Sequence, residues 1–250
     1  MIAALGPSGR ALLARFLAAR PLLAFDIDGT LAPIVPTPDA ARIPEPLQQR
    51  LATLCTRASV AIVTGRSRAD AERLCAFAPA YILGNHGIEG LPGYESRTSA
   101  LADLAARWRT TLDTPALRES GVLVEDKRYS LSLHYRHAPD YSRARALIAA
   151  RLAALSPAPL VIDGKCVVNV LPPGAITKGD ALRELLAVSG VPTALYAGDD
   201  DTDEHVFELP REQVLGIRVG VRPATGATLY VDTPADMVPL LDAVLADWPG

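Results

Sequence analysis

Five stretches of the sequence are apolar almost throughout and are separated by segments with helical patterns. They lie at 21–26, 58–64, 80–83, 193–197 and 214–219. An apolar run without polar alternation is typical of a strand that is covered on both faces. Strands that alternate with helices predict βαβ units and a mostly parallel sheet. We therefore predict an α/β fold with a doubly wound, mostly parallel sheet and a Rossmann-like core.

The middle of the chain has a different pattern. A helical segment is followed by two extended runs within 121–136, a helix at 141–155 and a hairpin at 160–171. The predicted turn of this hairpin is Asp163-Gly164, a dipeptide that is favoured in tight two-residue turns. This pattern predicts a smaller α+β cap domain at 97–173, inserted into a catalytic core formed by residues 1–96 and 174–250.

The composition excludes several classes of protein. With 250 residues, of which 49% are hydrophobic, the chain can bury a sizeable core and is not disordered. A net charge of −3 argues against a nucleic-acid partner. Arginines interrupt the apolar stretch near the start of the sequence, which argues against a signal peptide or a membrane partner. Three cysteines without C-x-x-C spacing are typical of reduced thiols. We expect a cytoplasmic protein; its oligomeric state stays open, with a monomer favoured.

Lysine is rare in this sequence. Of 25 basic residues, 22 are arginine and three are lysine, namely Lys127, Lys165 and Lys178. A codon bias toward arginine accounts for the imbalance itself. It leaves open why lysine is kept at three positions, and an ammonium is a compact point charge that a forked guanidinium does not reproduce.

The first apolar run ends in the motif Asp26-Ile27-Asp28-Gly29-Thr30. Residues two apart on a strand point the same way, so Asp26 and Asp28 are predicted to share a direction. Ligands of open α/β sheets bind beyond the carboxyl ends of the strands. Two aspartates alone could be solvated turn residues, but the longer motif after a buried strand is more specific.

An acidic segment follows the apolar run at 193–197. Residues 199–204 contain five acids among six residues. Clustered carboxylates repel one another unless a cation neutralises them, and hard oxygen ligands suit Mg²⁺. The sequence lacks the H-E-x-x-H or Cys/His spacing of a zinc site. We therefore predict Mg²⁺ as the cofactor.

Two weaker signals accompany these motifs. Thr64 follows the second apolar run, where its hydroxyl and the turn amides could hold a phosphoryl oxygen, although any helix N-cap could look the same. Lys178 begins a predicted helix, where an ammonium could neutralise both a phosphate and a carboxylate. Taken alone, Lys178 could equally be a surface lysine.

In chain order these segments are Asp26–Thr30, Thr64, Lys178 and the acidic segment that follows Gly198. In that order they resemble the first to fourth motifs of the haloacid dehalogenase superfamily of phosphatases. The resemblance implies that Asp26 attacks phosphorus and forms an aspartyl-phosphate. It implies that Asp28 protonates the leaving sugar oxygen and later deprotonates a water molecule. The metal would be held by Asp26, the main-chain carbonyl of Asp28, and Asp199.

The resemblance also implies roles around these residues. Thr64 and Lys178 would bind the other phosphoryl oxygens, so that catalysis is mostly positioning and electrostatics. Asp200 and Asp203 would hold either water molecules on Mg²⁺ or the Lys178 ammonium.

Three further segments, at 84–89, 124–136 and 164–165, are similar to the trehalose-6-phosphate phosphatase family. The resemblance implies a small sugar phosphate as substrate, and period two predicts that Lys165 and Asn169 share one face of a strand. Asn169 departs from the family pattern, which has an acid there, although an amide can still donate and accept. His134 could instead be an alternating strand residue, and His86 a loop residue that fixes its turn. The predicted substrate-binding residues are Gly65, Arg66, Asn85, His86, Glu125, Lys127, His134, Arg136, Lys165 and Asn169.

Together these features predict a Mg²⁺-dependent phosphatase that converts trehalose 6-phosphate to trehalose and phosphate. A phosphatase for a related sugar phosphate, of the sucrose- or mannosylfructose-phosphate type, would share the core residues and differ in the cap. A non-catalytic sugar-phosphate sensor is less favoured, because nucleophile, acid/base and metal carboxylates are all present.

Overall fold

The computed structural model describes residues 1–93, 95–174 and 176–249. The chain forms two compact units, one of Met1–Pro92 with Ile176–Gly250 and one of Gly93–Ala175. Among the described residues, no helix combines the length and apolar character that crossing a membrane requires.

The structure contains strands and helices in both units, and those that lie between residues 93 and 175 belong to the second. In chain order the strands are β1 (Ile2–Ala3), β2 (Leu22–Phe25), β3 (Val60–Val63), β4 (Tyr81–Leu83), β5 (Leu123–Asp126), β6 (Leu131–His134), β7 (Leu160–Gly164), β8 (Val167–Leu171), β9 (Ala194–Gly198), β10 (Val214–Val219) and β11 (Leu229–Val231). The helices are α1 (Pro7–Leu17), α2 (Glu45–Cys55), α3 (Arg68–Leu74), α4 (Glu95–Leu112), α5 (Pro115–Glu119), α6 (Tyr141–Leu152), α7 (Lys178–Ser189), α8 (Asp201–Phe207) and α9 (Met237–Asp247).

The first unit is built on a parallel sheet with the strand order β1-β11-β10-β9-β2-β3-β4. Every residue of β2 and β3 is buried, which explains why their sequences are apolar without alternation. The predicted doubly wound α/β fold is confirmed. Strand order reverses between β2 and β9, and such a switch point is where open α/β sheets bind ligands.

Helix α7 begins at Lys178 because the preceding residue caps it. The Thr177 hydroxyl accepts a hydrogen bond from the Asp180 N–H at 3.1 Å, and the Asp180 carboxylate accepts from the Thr177 N–H at 3.1 Å. Losing such a cap costs about 1 kcal/mol. Gly190, with φ of 70°, ends the helix in the left-handed conformation. The capping box therefore holds the backbone from which Lys178 projects.

The second unit contains an antiparallel sheet with the order β5-β6-β8-β7. Leu131, Leu133, Val168 and Val170 alternate along β6 and β8 and pack in one apolar cluster with residues of α4 and α6. Period two therefore directs the intervening residues of these strands to the opposite face. This opposite face carries polar residues that the sequence singled out.

The hairpin of β7 and β8 turns at Lys165-Cys166, and the predicted turn at Asp163-Gly164 was wrong. Gly164 pairs with Val167 in the ladder, so both predicted turn residues belong to a strand. Cys166 takes the left-handed conformation, with φ of 61°. Lys165 consequently lies in the turn, and the prediction that it shares a strand with Asn169 was also wrong.

Register explains this difference. A turn at Asp163-Gly164 would pair residues 160–162 with 165–167, whereas the turn at Lys165-Cys166 pairs five residues of each strand, Leu160–Gly164 with Val167–Leu171. Because the two turns differ by two positions, Val168 and Val170 face the apolar cluster with either one. The longer ladder therefore outweighs the local preference of an Asp-Gly dipeptide for turns.

Candidate active site

Four adjacent strands of the parallel sheet end at predicted site residues. Asp26 follows β2, Thr64 follows β3, Asn85 lies two residues after β4, and Asp199 follows β9. The order β9-β2-β3-β4 makes these carboxyl ends neighbours. Asp26, Thr64 and Asn85 are buried polar residues, and Asp199 is half-buried. Buried polar side chains at one edge of a sheet indicate a ligand site.

The Lys178 ammonium bridges two buried carboxylates. Its Nζ atom donates to Asp26 Oδ1 at 2.9 Å and to Asp203 Oδ1 at 2.8 Å. Asp203 also accepts from the Tyr196 hydroxyl at 2.6 Å and from the Asp200 N–H at 2.8 Å. Burial opposes the charge of Lys178, but Asp203 and Asp26 outweigh burial and raise its pKa. Lys178 is therefore a buried cation on the predicted nucleophile and not a surface lysine.

The carboxylates of Asp26, Asp199 and Asp203 form a group whose ligand atoms lie within 4.8 Å of one another. Since Asp203 is engaged by three donors, Asp26 and Asp199 are the carboxylates better placed to hold a cation. The single positive charge of the Lys178 ammonium does not neutralise three carboxylates. A hard divalent cation, which prefers oxygen ligands, would neutralise the remaining negative charge. The donor set fits Mg²⁺.

The ionisation of this cluster agrees with a cation site. Burial, followed by the charges of Asp203 and Asp200, raises the pKa of Asp199 to about 7. Burial raises the pKa of Asp26 well above its ordinary value, and Lys178 opposes that shift. A bound cation favours the charged carboxylates and would lower both pKa values.

Gly29 gives the Asp199 carboxylate its space. Gly29 has φ of 82°, and a Cβ atom at this position would lie 2.0 Å from Asp199 Oδ2. The motif therefore needs glycine both for its left-handed backbone and for this close approach.

Asp28 has a different environment from Asp26. The Arg66 Nε and Nη2 atoms donate to the two carboxylate oxygens of Asp28, each at 2.6 Å. The Asp28 side chain is 41% exposed and that of Arg66 is 10% exposed. Arg66 was predicted to bind substrate, and in this structure its guanidinium binds the predicted acid/base residue.

The turn after β3 is held by the segment after β4. The Thr64 hydroxyl accepts from the Arg66 N–H at 3.2 Å, and the Arg66 carbonyl accepts from the Asn85 N–H at 2.7 Å. The Thr64 carbonyl accepts from the His86 N–H at 2.9 Å. A Cβ atom on Gly65 would lie 2.8 Å from the His86 ring, so the ring packs on this turn. These contacts favour the interpretation that His86 fixes its turn.

Two residues that sequence reasoning missed support the acidic segment. Tyr196 donates to Asp203, and Arg218 donates to the main-chain carbonyls of Asp199 and Asp200. Arg218 also donates to Glu204 at 2.7 Å. A single arginine within the apolar sequence of β10 was a signal that could have pointed to this buried contact. The Asp200 carboxylate accepts from the Asp201 N–H at 2.6 Å and so caps α8.

The polar face of the second unit brings together several predicted residues. Register places Glu125 opposite Ser132, and Ser132 opposite Asn169. The Ser132 hydroxyl donates to Asn169 Oδ1 at 2.7 Å, and both residues are buried. His134 Nε2 lies 2.7 Å from Glu125 Oε2, and Lys127 Nζ lies 3.9 Å from the same oxygen. We define Glu125, Lys127, Ser132, His134 and Asn169 as the polar row.

The remaining two predicted residues of this unit lie at the ends of strands. Arg136 lies two residues after β6, and its carbonyl accepts from the Tyr141 hydroxyl at 3.0 Å. Lys165 is exposed in the turn between β7 and β8.

A comparison with known families decides the affiliation of the chain. The family model of the trehalose-phosphatases matches residues 24–233, which include most of both halves of the first unit and the whole second unit. The chain belongs to the trehalose-phosphatase family. The resemblance stated from the sequence is thereby confirmed.

Individual relatives agree with this family. The trehalose-6-phosphate phosphatase of Escherichia coli (strain K12) is 33% identical over 211 residues, which cover 82% of this chain and 77% of that protein. The trehalose-phosphate phosphatase of Mycobacterium avium (strain 104) is 32% identical over 232 residues, which cover 86% of this chain. Only 59% of that mycobacterial trehalose-phosphatase is spanned by this chain.

A solved trehalose-phosphatase structure has the same fold. The C-terminal domain of the C. albicans trehalose-6-phosphate phosphatase matches with a TM-score of 0.72 and 23% identity, and the match covers 98% of each chain. Both units described above are therefore part of the family's architecture.

Proposed function

We propose that this chain is a Mg²⁺-dependent phosphatase that hydrolyses trehalose 6-phosphate to trehalose and phosphate. The observation that carries the proposal is the buried Lys178 ammonium, which lies 2.9 Å from the Asp26 carboxylate beside Asp199. Family membership and the names of the relatives support trehalose 6-phosphate as the substrate. Three free thiols support a cytoplasmic location.

In the proposed first step, an Asp26 oxygen forms a bond to phosphorus and the bond from phosphorus to the sugar oxygen breaks. Asp28 gives its proton to the leaving sugar oxygen. Lys178 favours the ionised form of Asp26 and attracts the phosphoryl oxygens, and the Thr64 hydroxyl can donate to one of them. The product of this step is an aspartyl-phosphate.

In the second step, water forms a bond to phosphorus and the bond to Asp26 breaks. Asp28, now a carboxylate, takes a proton from that water molecule. Mg²⁺, when bound, neutralises charge on the transferring phosphoryl group. Asp26, Asp199 and the main-chain carbonyl of Asp28 would hold the ion, while Asp203 holds Lys178.

The polar row of the second unit is proposed to bind the sugar. Charged groups at fixed positions recognise dense hydroxyl groups well, because charge-assisted hydrogen bonds are strong. Asn169 accepts from Ser132 through Oδ1, so its amide N–H groups are left to act as donors. An acid at this position would offer acceptors instead, so Asn169 can shift preference within sugar phosphates.

The substrate is tested by phosphate release from a panel of about a dozen sugar phosphates, each with Mg²⁺ and with EDTA. We expect kcat/KM for trehalose 6-phosphate to exceed that for sucrose 6-phosphate and glucose 6-phosphate by about tenfold or more. We expect EDTA to stop the reaction. Intact trehalose 6-phosphate beside rapid hydrolysis of another sugar phosphate would refute the substrate. Tight binding of sugar phosphates without any turnover would indicate a sensor.

Metal binding gives a prediction that does not depend on turnover. Mg²⁺ at about 100 times its dissociation constant should stabilise the fold by about 2.7 kcal/mol, because it binds only the folded state. Differential scanning calorimetry measures this as a rise in melting temperature. Asp199→Asn should lose the Mg²⁺-dependent rise, and Asp242→Asn, on an exposed helix surface, should keep it. An equal rise in both variants would contradict the proposed ligand set.

The two lysines of the second unit give a separate prediction. Lys127→Arg and Lys165→Arg should each raise KM for trehalose 6-phosphate by about tenfold with little change in kcat, because they alter binding alone. Steady-state kinetics measure this split. Arg128→Lys, next in sequence to Lys127 and exposed, serves as the control. Normal KM values in both lysine variants would leave the rarity of lysine as a matter of composition.

A further inference from the structure

The Arg66 guanidinium donates to both oxygens of the Asp28 carboxylate, which performs both proton transfers of the proposed reaction. Two parallel hydrogen bonds of 2.6 Å join Arg66 to Asp28. Paired donors of this kind fix the plane and direction of a carboxylate, which one hydrogen bond does not do. We infer that Arg66 is a positioning residue, which orients Asp28 for proton transfer to the leaving group. The inference rests on the proposed phosphatase activity and deepens it.

The position of Arg66 suits this role because its own backbone is fixed. Its N–H donates to the Thr64 hydroxyl, and its carbonyl accepts from the Asn85 N–H. The Arg66 side chain is 10% exposed, whereas that of Asp28 is 41% exposed. The more buried Arg66 side chain therefore holds a half-exposed carboxylate, which gains a defined orientation from it.

This role differs from the substrate-binding role predicted from the sequence. A residue that binds the phosphoryl group affects every phosphate ester, because all of them share that group. A residue that orients the general acid affects only esters whose leaving oxygen needs a proton. The leaving group of the substrate therefore separates the two roles.

The comparison uses kcat/KM for trehalose 6-phosphate and for p-nitrophenyl phosphate, whose leaving group departs without protonation. The value of kcat/KM depends only on the steps up to and including the first irreversible one, so the later hydrolysis of the aspartyl-phosphate does not affect it. Arg66→Ala removes the guanidinium, and Arg66→Lys keeps the positive charge but not the paired donors. Arg68→Ala, two residues further on and exposed, is the matched control.

For Arg66→Ala we expect kcat/KM to fall at least about tenfold with trehalose 6-phosphate, as part of the roughly 10²–10⁴-fold that acid–base catalysis supplies. With p-nitrophenyl phosphate we expect the kcat/KM of Arg66→Ala to stay within about threefold of that of the unaltered chain. Arg66→Lys should restore only part of the loss, and Arg68→Ala should match the unaltered chain. An equal fall for both esters, or no fall for either, would overturn the inference.

A double-mutant cycle gives a second test that needs only one ester. If Arg66 acts through Asp28, adding Arg66→Ala to Asp28→Ala should cost little more than Asp28→Ala alone. Additive losses would overturn the inference. If the unaltered chain hydrolyses neither ester, the proposed phosphatase function is refuted. That result differs from one in which the unaltered chain is active and the variants lose activity in a pattern other than the one expected, which would overturn only the inference about Arg66.

Discussion

The Asp26→Asn variant should lose at least about 10³-fold in kcat toward trehalose 6-phosphate, because an amide oxygen is a poor nucleophile toward phosphorus. The substitution keeps the shape of a buried side chain that is 5% exposed. Lys178 keeps its contact with Asp203 at 2.8 Å, so the fold should survive. The measurement is phosphate release under saturating substrate, together with the melting temperature of the variant.

Asp242→Asn is a suitable control for Asp26→Asn. It makes the same chemical change on helix α9, where Asp242 pairs with Arg50 at 2.7 Å on the surface. Exposed ion pairs contribute little to stability, and this one lies outside the site, so kcat should be unaltered. Activity of Asp26→Asn close to that of Asp242→Asn would show that another group attacks phosphorus.

The second large effect is expected for Lys178→Arg. A single nitrogen atom lies 2.9 Å from Asp26 and 2.8 Å from Asp203, and the lysine is 2% exposed. A guanidinium is larger and has its donors in a fixed fork, so it would displace one of the two carboxylates. We expect kcat to fall by about 10²–10³-fold, the effect of losing one well-placed charged donor. The melting temperature should also fall, because strain within a buried ion pair is costly.

Arg183→Lys provides the matched exchange in the opposite direction. Arg183 lies on the same helix as Lys178, pairs with Asp180 at 3.0 Å and is 54% exposed. Its replacement should leave kcat unchanged. Normal turnover by Lys178→Arg would remove Lys178 from the proposed mechanism.

Much of the fold, and the placement of the core motifs at one edge of the sheet, could be predicted because both depend on local sequence patterns. Apolar runs without alternation indicated buried parallel strands, and motifs at strand ends indicated one edge of the sheet. Strand β1, which is two residues long, and β11, which is three, carry too little pattern to be predicted. The predicted turn at Asp163-Gly164 was wrong because the hairpin turns where its two strands form the longer ladder, and the dipeptide alone does not show this.

Contacts between distant residues could not be predicted in the same way. Lys178 and Asp26 are 152 positions apart, and only the fold brings them within hydrogen-bond distance. The resemblance supplied roles for both, but not the pairing of Asp28 with Arg66. When two charged residues lie in separate motifs, the sequence does not show which ion-pair partner each of them has. The same holds for Arg218, whose contacts are mainly to carbonyl groups of the main chain.

The central claim is that Asp26 takes the phosphoryl group of trehalose 6-phosphate. It is tested most directly by quenching the Mg²⁺-dependent reaction with acid within the first turnovers and locating phosphate on the chain by peptide mass spectrometry. We expect phosphate on Asp26, only when substrate is present, and none on the Asp26→Asn chain. Phosphate on a different residue, or sustained hydrolysis of trehalose 6-phosphate by Asp26→Asn, would contradict the account.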